Sequence, residues 1–269
     1  MRIGAFVVGA TMVAACAANE TSSVTTTPGV TTTAAVSPTA TTVKTPATTL
    51  DTAITTTTTT VPIGSPLSPV EPVIPIDGRA ALIRQITTED RVIFLTIDDG
   101  IYKDPRAMDF LIENRWPATF FLVAGELKKD PQYFARIFEV GGTISSHTLS
   151  HPDLKGLSID EQTRQICGMT DFIRYGLGQV GHLMRPPYGS YDDTTRRAAA
   201  SCGLNAVVLW NSSLWEGNID LAGRSALQPG DIFLTHFRRD LYTNLVALKE
   251  RIEAEGFTIG RLEEYLPLG

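Results

Sequence analysis

The 269-residue chain has only four histidines, only three cysteines and no cluster of Lys and Arg. Three cysteines are too few for a disulfide scaffold. Without a basic patch, a nucleic-acid partner is excluded. Positive charge is in deficit throughout, with 23 basic against 29 acidic groups and a net charge of −6. Long hydrophobic runs are missing too: Ile3 to Ala14 is apolar but too short to cross a bilayer. The first seventy-five residues also lack charge, holding Arg2, Lys44, Glu20, Asp51 and Glu71 and nothing else ionisable in a side chain apart from Cys16. No internal repeat is visible, and nothing marks a second folded domain.

The amino terminus reads as a targeting segment. Arg2 begins it, the apolar run follows, and Val13-Ala14-Ala15-Cys16 resembles a bacterial lipobox. Residues 1–16 are therefore expected to be a signal peptide with Cys16 as its lipidation site; the alternative is an ordinary signal peptide cleaved nearby. Either reading exports the protein, to the outer face of the cytoplasmic membrane as a lipoprotein or to the cell wall and beyond. From Thr21 to Thr60 half of the residues are Thr, and prolines recur at 62, 66, 69, 72 and 75. Such a stretch buries too little to offset its ordering entropy, so residues 17–75 are expected to form an extended, disordered tether. An oxidising compartment permits Cys167 and Cys202 to bridge; two separate buried thiols are the alternative.

Residues 76–269 are long enough to bury a core without staples. Beta-like apolar runs at 92–97, 118–123, 143–145, 205–210, 231–234 and 257–259 alternate with helical patterns at 104–114, 131–140, 159–175, 192–202 and 244–255. Ser158 stands where an N-cap would open the third helix. Alternation of this kind predicts an α/β fold, an incomplete parallel (β/α) barrel of about seven strands. In such barrels the chemistry gathers at the carboxyl ends of the strands.

Four short motifs fall at those ends: Thr96-Ile97-Asp98-Asp99-Gly100, His147-Thr148-Leu149-Ser150-His151-Pro152, Arg185-Pro186-Pro187-Tyr188-Gly189 and Leu234-Thr235-His236. An i, i+4 histidine pair in a helical turn offers two imidazoles to one ion, and Pro152 stops the helix behind it. Two imidazoles and one carboxylate with an open position make a catalytic zinc-type set. With Asp99 as the third ligand beside His147 and His151, Asp98 is left to act as a base on an activated water. His236, from another strand, is placed to return a proton to a leaving group, and Arg185 to pair with Asp98 and keep it ionised.

Taken together, the motifs resemble those of the NodB-homology polysaccharide deacetylases, the fourth carbohydrate esterase family, across roughly residues 90–265. Pro117 to Leu122 and Gly141 to Ile144 are similar to further segments of that family. The resemblance implies one divalent metal, commonly zinc, on Asp99, His147 and His151, with Asp98 as general base and His236 as general acid. It also implies that Arg185 orients Asp98, that the backbone N–H of Tyr188 stabilises the oxyanion, and that Leu234 and Trp215 wall the acetyl pocket. One motif departs: where the family places an Asp beside a Trp, the chain reads Trp210-Asn211-Ser212-Ser213-Leu214-Trp215-Glu216. Either Glu216, favoured as the nearest acid, swings in as a substitute, or His236 works without an orienting acid.

The implied activity is N-deacetylation of an amino-sugar glycan, with peptidoglycan beside the membrane anchor as the foremost substrate. Two other readings stand beside it. One is an O-acetyl esterase on a wall polysaccharide or xylan, and the other a weakly active glycan-binding protein that has lost its fourth motif.

Overall fold

A computed structural model of the protein describes residues 64–267. The signal segment, Cys16 and most of the Thr-rich stretch lie outside the described residues. Strand β1 (Ala81–Ile83) is followed by β2 (Val92–Asp99), whose sequence shows why the sheet is buried on both faces. Ile93, Leu95 and Ile97 join one apolar cluster with helical residues such as Met108, Leu111, Leu245 and Leu248. Val92 and Phe94 join another, built largely from other strands. This is the period-two alternation of a strand with helices outside and a barrel interior within. Thr96 and Asp98 continue the interior column toward the carboxyl end.

The remaining strands are β3 (Thr119–Leu122), β4 (Thr143–Ser146), β5 (Leu183–Met184), β6 (Ala206–Val208), β7 (Ser212–Trp215), β8 (Asn218–Asp220), β9 (Ile232–His236) and β10 (Thr258–Ile259). Their order across the sheet is β1-β6-β5-β4-β3-β2-β9-β7-β8, with β10 beside the start of β2. Each neighbouring pair is parallel except the β7–β8 hairpin. The result is the curled, open (β/α) half-barrel that the alternation of elements predicts. Its eight parallel strands from β1 to β7 compare with an expectation of about seven.

Helices α1 (Pro105–Glu113), α2 (Ala124–Lys129), α3 (Pro131–Ala135), α4 (Ile159–Leu177), α5 (Asp193–Ser201), α6 (Leu241–Glu255) and α7 (Leu262–Tyr265) connect and flank the strands. Ser158 caps α4 as expected, accepting from the N–H of Glu161 at 3.2 Å. The segment read as one helix over 131–140 is α3 followed by a tighter 3-10 turn over Arg136–Val140. Cys167 in α4 and Cys202 at the end of α5 form a disulfide, with Cα atoms 4.9 Å apart, which decides between the two readings of these thiols.

The folded unit begins before Ile76. Residues 64–75, assigned to the tether by their prolines, run along the domain instead. The Gly64 carbonyl accepts from the N–H of Arg261 at 2.7 Å, Leu67 donates to Asp90 at 3.1 Å, and Val73 donates to Pro267 at 2.9 Å. Proline content removes donors, but it does not prevent the remaining backbone groups from pairing with a neighbouring edge.

Candidate active site

The parallel register brings the motifs to one rim. Asp98 at the end of β2 lies directly across from His236 at the end of β9. His147 follows the last residue of β4, and Arg185 follows β5. Residues far apart in sequence therefore converge at the carboxyl ends of β9, β2, β4 and β5, with β3 between β2 and β4, as the sequence predicts.

Asp99, His147 and His151 present donor atoms that all lie within 4.8 Å of one another. Nε2 of His147 is 3.6 Å from Oδ1 of Asp99, and Nε2 of His151 is 3.3 Å from the same oxygen. Nδ1 of His147 sits 2.7 Å from the carbonyl oxygen of Arg185, which can only accept. That contact puts the proton on Nδ1 and leaves the Nε2 lone pair facing Asp99. Nδ1 of His151 lies 3.2 Å from the Tyr188 hydroxyl.

The histidine pair does not sit in a helical turn. Residues 147–151 form a loop in which Thr148 and His151 have φ of +71° and +61°. Asp99 and Tyr188 also lie in the left-handed region, at +77° and +60°. Non-glycine residues held there cost about 1–3 kcal/mol each and tend to gather where function demands an unusual side-chain direction. For Asp99 the demand is clear. Strand alternation would send it away from Asp98, yet both carboxylates reach the His147 imidazole, Asp98 Oδ2 at 3.8 Å.

Arg185 is fully buried and partners Asp98 at 2.8 Å. Its Nη1 also donates to the Thr96 hydroxyl at 2.6 Å, which in turn donates to the Phe233 carbonyl at 2.6 Å. Nε donates to the carbonyl of Val208 at 3.1 Å and Nη2 to that of Leu209 at 3.0 Å. The guanidinium plane lies 4.4 Å from the centre of the Phe121 ring and 5.5 Å from that of Trp210. Gly189 at φ +66° leaves room for Trp210, since a Cβ there would stand 2.9 Å from the indole.

The missing fourth-motif acid thus has no substitute carboxylate on Arg185. Two backbone carbonyls and a threonine hydroxyl hold the guanidinium instead. Glu216 does not swing in: it occupies the exposed β7–β8 turn, where its N–H donates to Asp240 at 2.8 Å. Position 214 could not host an acid either, because Leu214 is buried within the helix-side core.

Burial dominates the ionisation of the site. It lifts the Asp98 carboxyl above its usual range, against the pull of Arg185 and His236. Burial pushes Asp99 the same way, but the hydrogen bond with His151 and the neighbouring imidazoles outweigh it, and its carboxyl falls below the usual range. His147 is driven down to about 3 by burial and is a neutral imidazole at physiological pH. His236 is lowered as well, first by burial and further by Arg238 and His147, against Asp98 and Asp99.

Leu234 and His236 share a face of β9, two residues apart, with Leu234 nearly buried. Ser213 pairs with Leu234, so Trp215 stands alongside at the end of β7, half exposed, with the Arg238 guanidinium over its ring at 4.6 Å. The structure brings Asp98, Asp99, His147, His151, Arg185 and His236, all singled out in the sequence, to one rim, whereas Arg238 was not singled out and Glu216 stays outside. The sequence did not reveal that Thr96 holds Arg185 or that Arg185 fixes His147 through its own carbonyl, because those contacts exist only between strands. The remaining histidine, His182, is buried beside β5 with Nε2 2.9 Å from the carbonyl of Leu266, outside the mouth.

Comparison with known proteins agrees with the geometry. The polysaccharide deacetylase family profile matches residues 85–207. An uncharacterized protein of Streptomyces coelicolor is 40% identical over 194 residues, which is 69% of this chain and 77% of that protein. A chitooligosaccharide deacetylase of Sinorhizobium fredii is 32% identical, over 54% of this chain and 71% of its own length. Among solved structures, the Bc1960 peptidoglycan N-acetylglucosamine deacetylase superposes with a TM-score of 0.61 at 23% identity, covering 71% of this chain and 94% of that one. With the motifs in order, the register that unites them and a relative this similar, the chain belongs to the NodB-homology polysaccharide deacetylases, hydrolases that act on amide bonds.

Proposed function

We propose that the protein is an exported, metal-dependent N-deacetylase that removes acetyl groups from the amino sugars of peptidoglycan. The observation that carries this reading is the pairing of Asp98 and His236 across β2 and β9 beside a separate His-His-Asp cluster. The cluster fits a divalent ion of the zinc type: two imidazoles, one of them held neutral with its lone pair turned inward, and a carboxylate that stays ionised. Asp99, His147 and His151 would hold the ion. When bound it supplies Lewis-acid polarisation and makes water more acidic.

The chain's own residues do the rest. Asp98 accepts the proton of the attacking water, with its carboxylate aimed by Arg185. The backbone N–H of Tyr188 donates to the acetamide oxygen as charge develops there. Leu234 and Trp215 enclose the acetyl methyl. His236 donates its proton to the departing sugar nitrogen, so the C–N bond breaks as an amine leaves and acetate remains. The left-handed conformation of Tyr188 supports its role by turning that stretch of backbone at the mouth.

Export rests on the signal-like first sixteen residues, and anchoring on Cys16 within its lipobox-like sequence. A lipid-held domain reaches the wall polymer directly above the membrane, and peptidoglycan is the polymer named for the structurally similar Bc1960 deacetylase. The test is acetate release by the purified protein from N-acetylated glycan strands against O-acetylated xylan, with and without a chelator. Release from the first, abolished by the chelator and restored by zinc, is the expected result. Release from xylan alone would assign the esterase reading, and binding without release would assign the glycan-binding one.

A further inference from the structure

Two arginines follow the catalytic strand at once, in His236-Phe237-Arg238-Arg239-Asp240, and neither is used by the chemistry above. Both are exposed, although the protein as a whole is negatively charged. Each lies on an aromatic ring: Arg238 over Trp215 at 4.6 Å, Arg239 over Tyr102 at 5.1 Å. The two rings stand on opposite sides of β9. Trp215 ends β7, on one flank. Tyr102 follows β2, on the other, and its N–H donates to the carbonyl of Phe237 at 2.9 Å. The arginines therefore straddle the strand end that carries His236.

Among the described residues neither guanidinium is hydrogen-bonded or ion-paired. Asp240, next in sequence, turns its Oδ2 to the N–H of Glu216 at 2.8 Å and to Nδ2 of Asn244 at 3.1 Å, and meets Arg238 only at longer range. A stacked guanidinium keeps its edge N–H donors free, in the planar fork that matches a carboxylate. Stacking also fixes the side chain before any ligand arrives, so less entropy is lost on binding. Around the pair, Ile101, Tyr102, Tyr188 and Trp215 are exposed at the same mouth, a surface suited to the faces of sugar rings.

We infer that Arg238 and Arg239 form an anion-reading subsite that binds a carboxylate carried by the glycan, so that the protein prefers acidic N-acetylated strands to neutral ones. The inference rests on the deacetylase reading for its substrate. In peptidoglycan strands freed of peptide, each muramyl residue bears one such carboxylate.

The experiment compares three substrates on zinc-loaded enzyme: neutral N-acetylglucosamine oligomers, peptide-free peptidoglycan strands, and the same strands with their carboxylates converted to methylamides. Acetate release gives kcat/KM, and quenching of tryptophan fluorescence gives binding independently of turnover. The wild type should bind and turn over acidic strands roughly tenfold better than the methylamides, the size expected of charge-assisted hydrogen bonds. High salt should erode that preference, because the subsite is exposed. Arg238→Gln with Arg239→Gln should collapse the acidic-to-methylamide ratio to near one, chiefly through KM, and Arg238→Lys with Arg239→Lys should restore part of it. A wild type that binds both strands equally would overturn the subsite, as would a Gln pair that weakens all three substrates alike. Absence of acetate from every substrate would refute the deacetylase reading instead, and the binding ratio would still judge the arginines.

Discussion

The floor and the rim of the mouth are held by different means. On the floor Asp98, Arg185 and His147 are buried, and each has its polar partners fixed by strands: Thr96, two carbonyls of the β6 end, and the Arg185 carbonyl. On the rim Tyr188, Arg238 and Arg239 are exposed and Trp215 and Tyr102 partly so, and the two guanidinium groups rest on the rings of Trp215 and Tyr102. Groups that move protons must not drift by an ångström, so they are tied to the sheet. Groups that receive a polymer tolerate looser support, and the rim is where relatives can differ in substrate while sharing a reaction.

Perturbing the floor should therefore cost rate and fold together, and perturbing the rim should cost recognition. The largest effect is expected for His147→Ala, which removes both a ligand and the partner of the Arg185 carbonyl. Zinc content by elemental analysis and acetate release should both fall to background. Asp98→Asn should lower the rate about 10²–10⁴-fold, the usual worth of a general base. It should also destabilise the fold by about 3–5 kcal/mol, because the Arg185 charge stays buried without its counter-charge. His236→Ala should cost a similar factor in rate with little change in Tm, since that imidazole is only partly buried; equal Tm losses for the two variants would break the contrast.

A region apart from both gives a control. Reducing the Cys167–Cys202 bond opens a loop spanning 35 residues, worth about 3–4 kcal/mol in the chain-entropy model. Thermal melts should drop while kcat at 25 °C is unchanged. The pH profile should report the buried Asp98 and its partner His236 directly. Asp98 must be deprotonated and is raised, so the acid limb moves up; His236 must be protonated and is lowered, so the alkaline limb moves down. A bell narrower than free carboxyl and imidazole groups would give is the expected kcat/KM profile. The smallest effect should come from Glu216→Gln, with rate and pH profile unchanged, because that side chain points to solvent at the hairpin turn.

Much of this was legible in the sequence, for reasons that lie in particular residues. The apolar alternation of Val92 to Ile97 and the motifs behind each strand required the barrel and its rim. Strand β1 escaped notice, and β5 is implied only by the Arg185 motif behind it, because three and two residues carry no period. The hairpin strand β7 reads as loop, since Asn211-Ser212-Ser213 looks like turn chemistry until Arg224 and Asp231 are seen to hold it; Arg224 donates to the Ser212 hydroxyl and to both Asp231 oxygens, each at 2.9 Å. Nearness in sequence favoured Glu216 as the substitute acid, whereas carbonyls from β6, invisible to any residue-type motif, do the orienting. The spacing of His147 and His151 fits a helix, but left-handed backbone achieves the same convergence in a loop.

Arg185 joins the two halves of the chemistry in one residue. Its side chain aims the proposed base Asp98, its carbonyl sets the tautomer of His147 in the candidate metal cluster, and its N–H is hydrogen-bonded to Ser146 at 2.9 Å. It follows a strand of only two residues. A local opening of that tip would misplace base and ligand in one event, without passing through a state in which either works alone. Partial damage near β5 should therefore yield a mixture of fully competent and fully silent molecules, and a falling average activity would count the survivors while each survivor kept its full turnover.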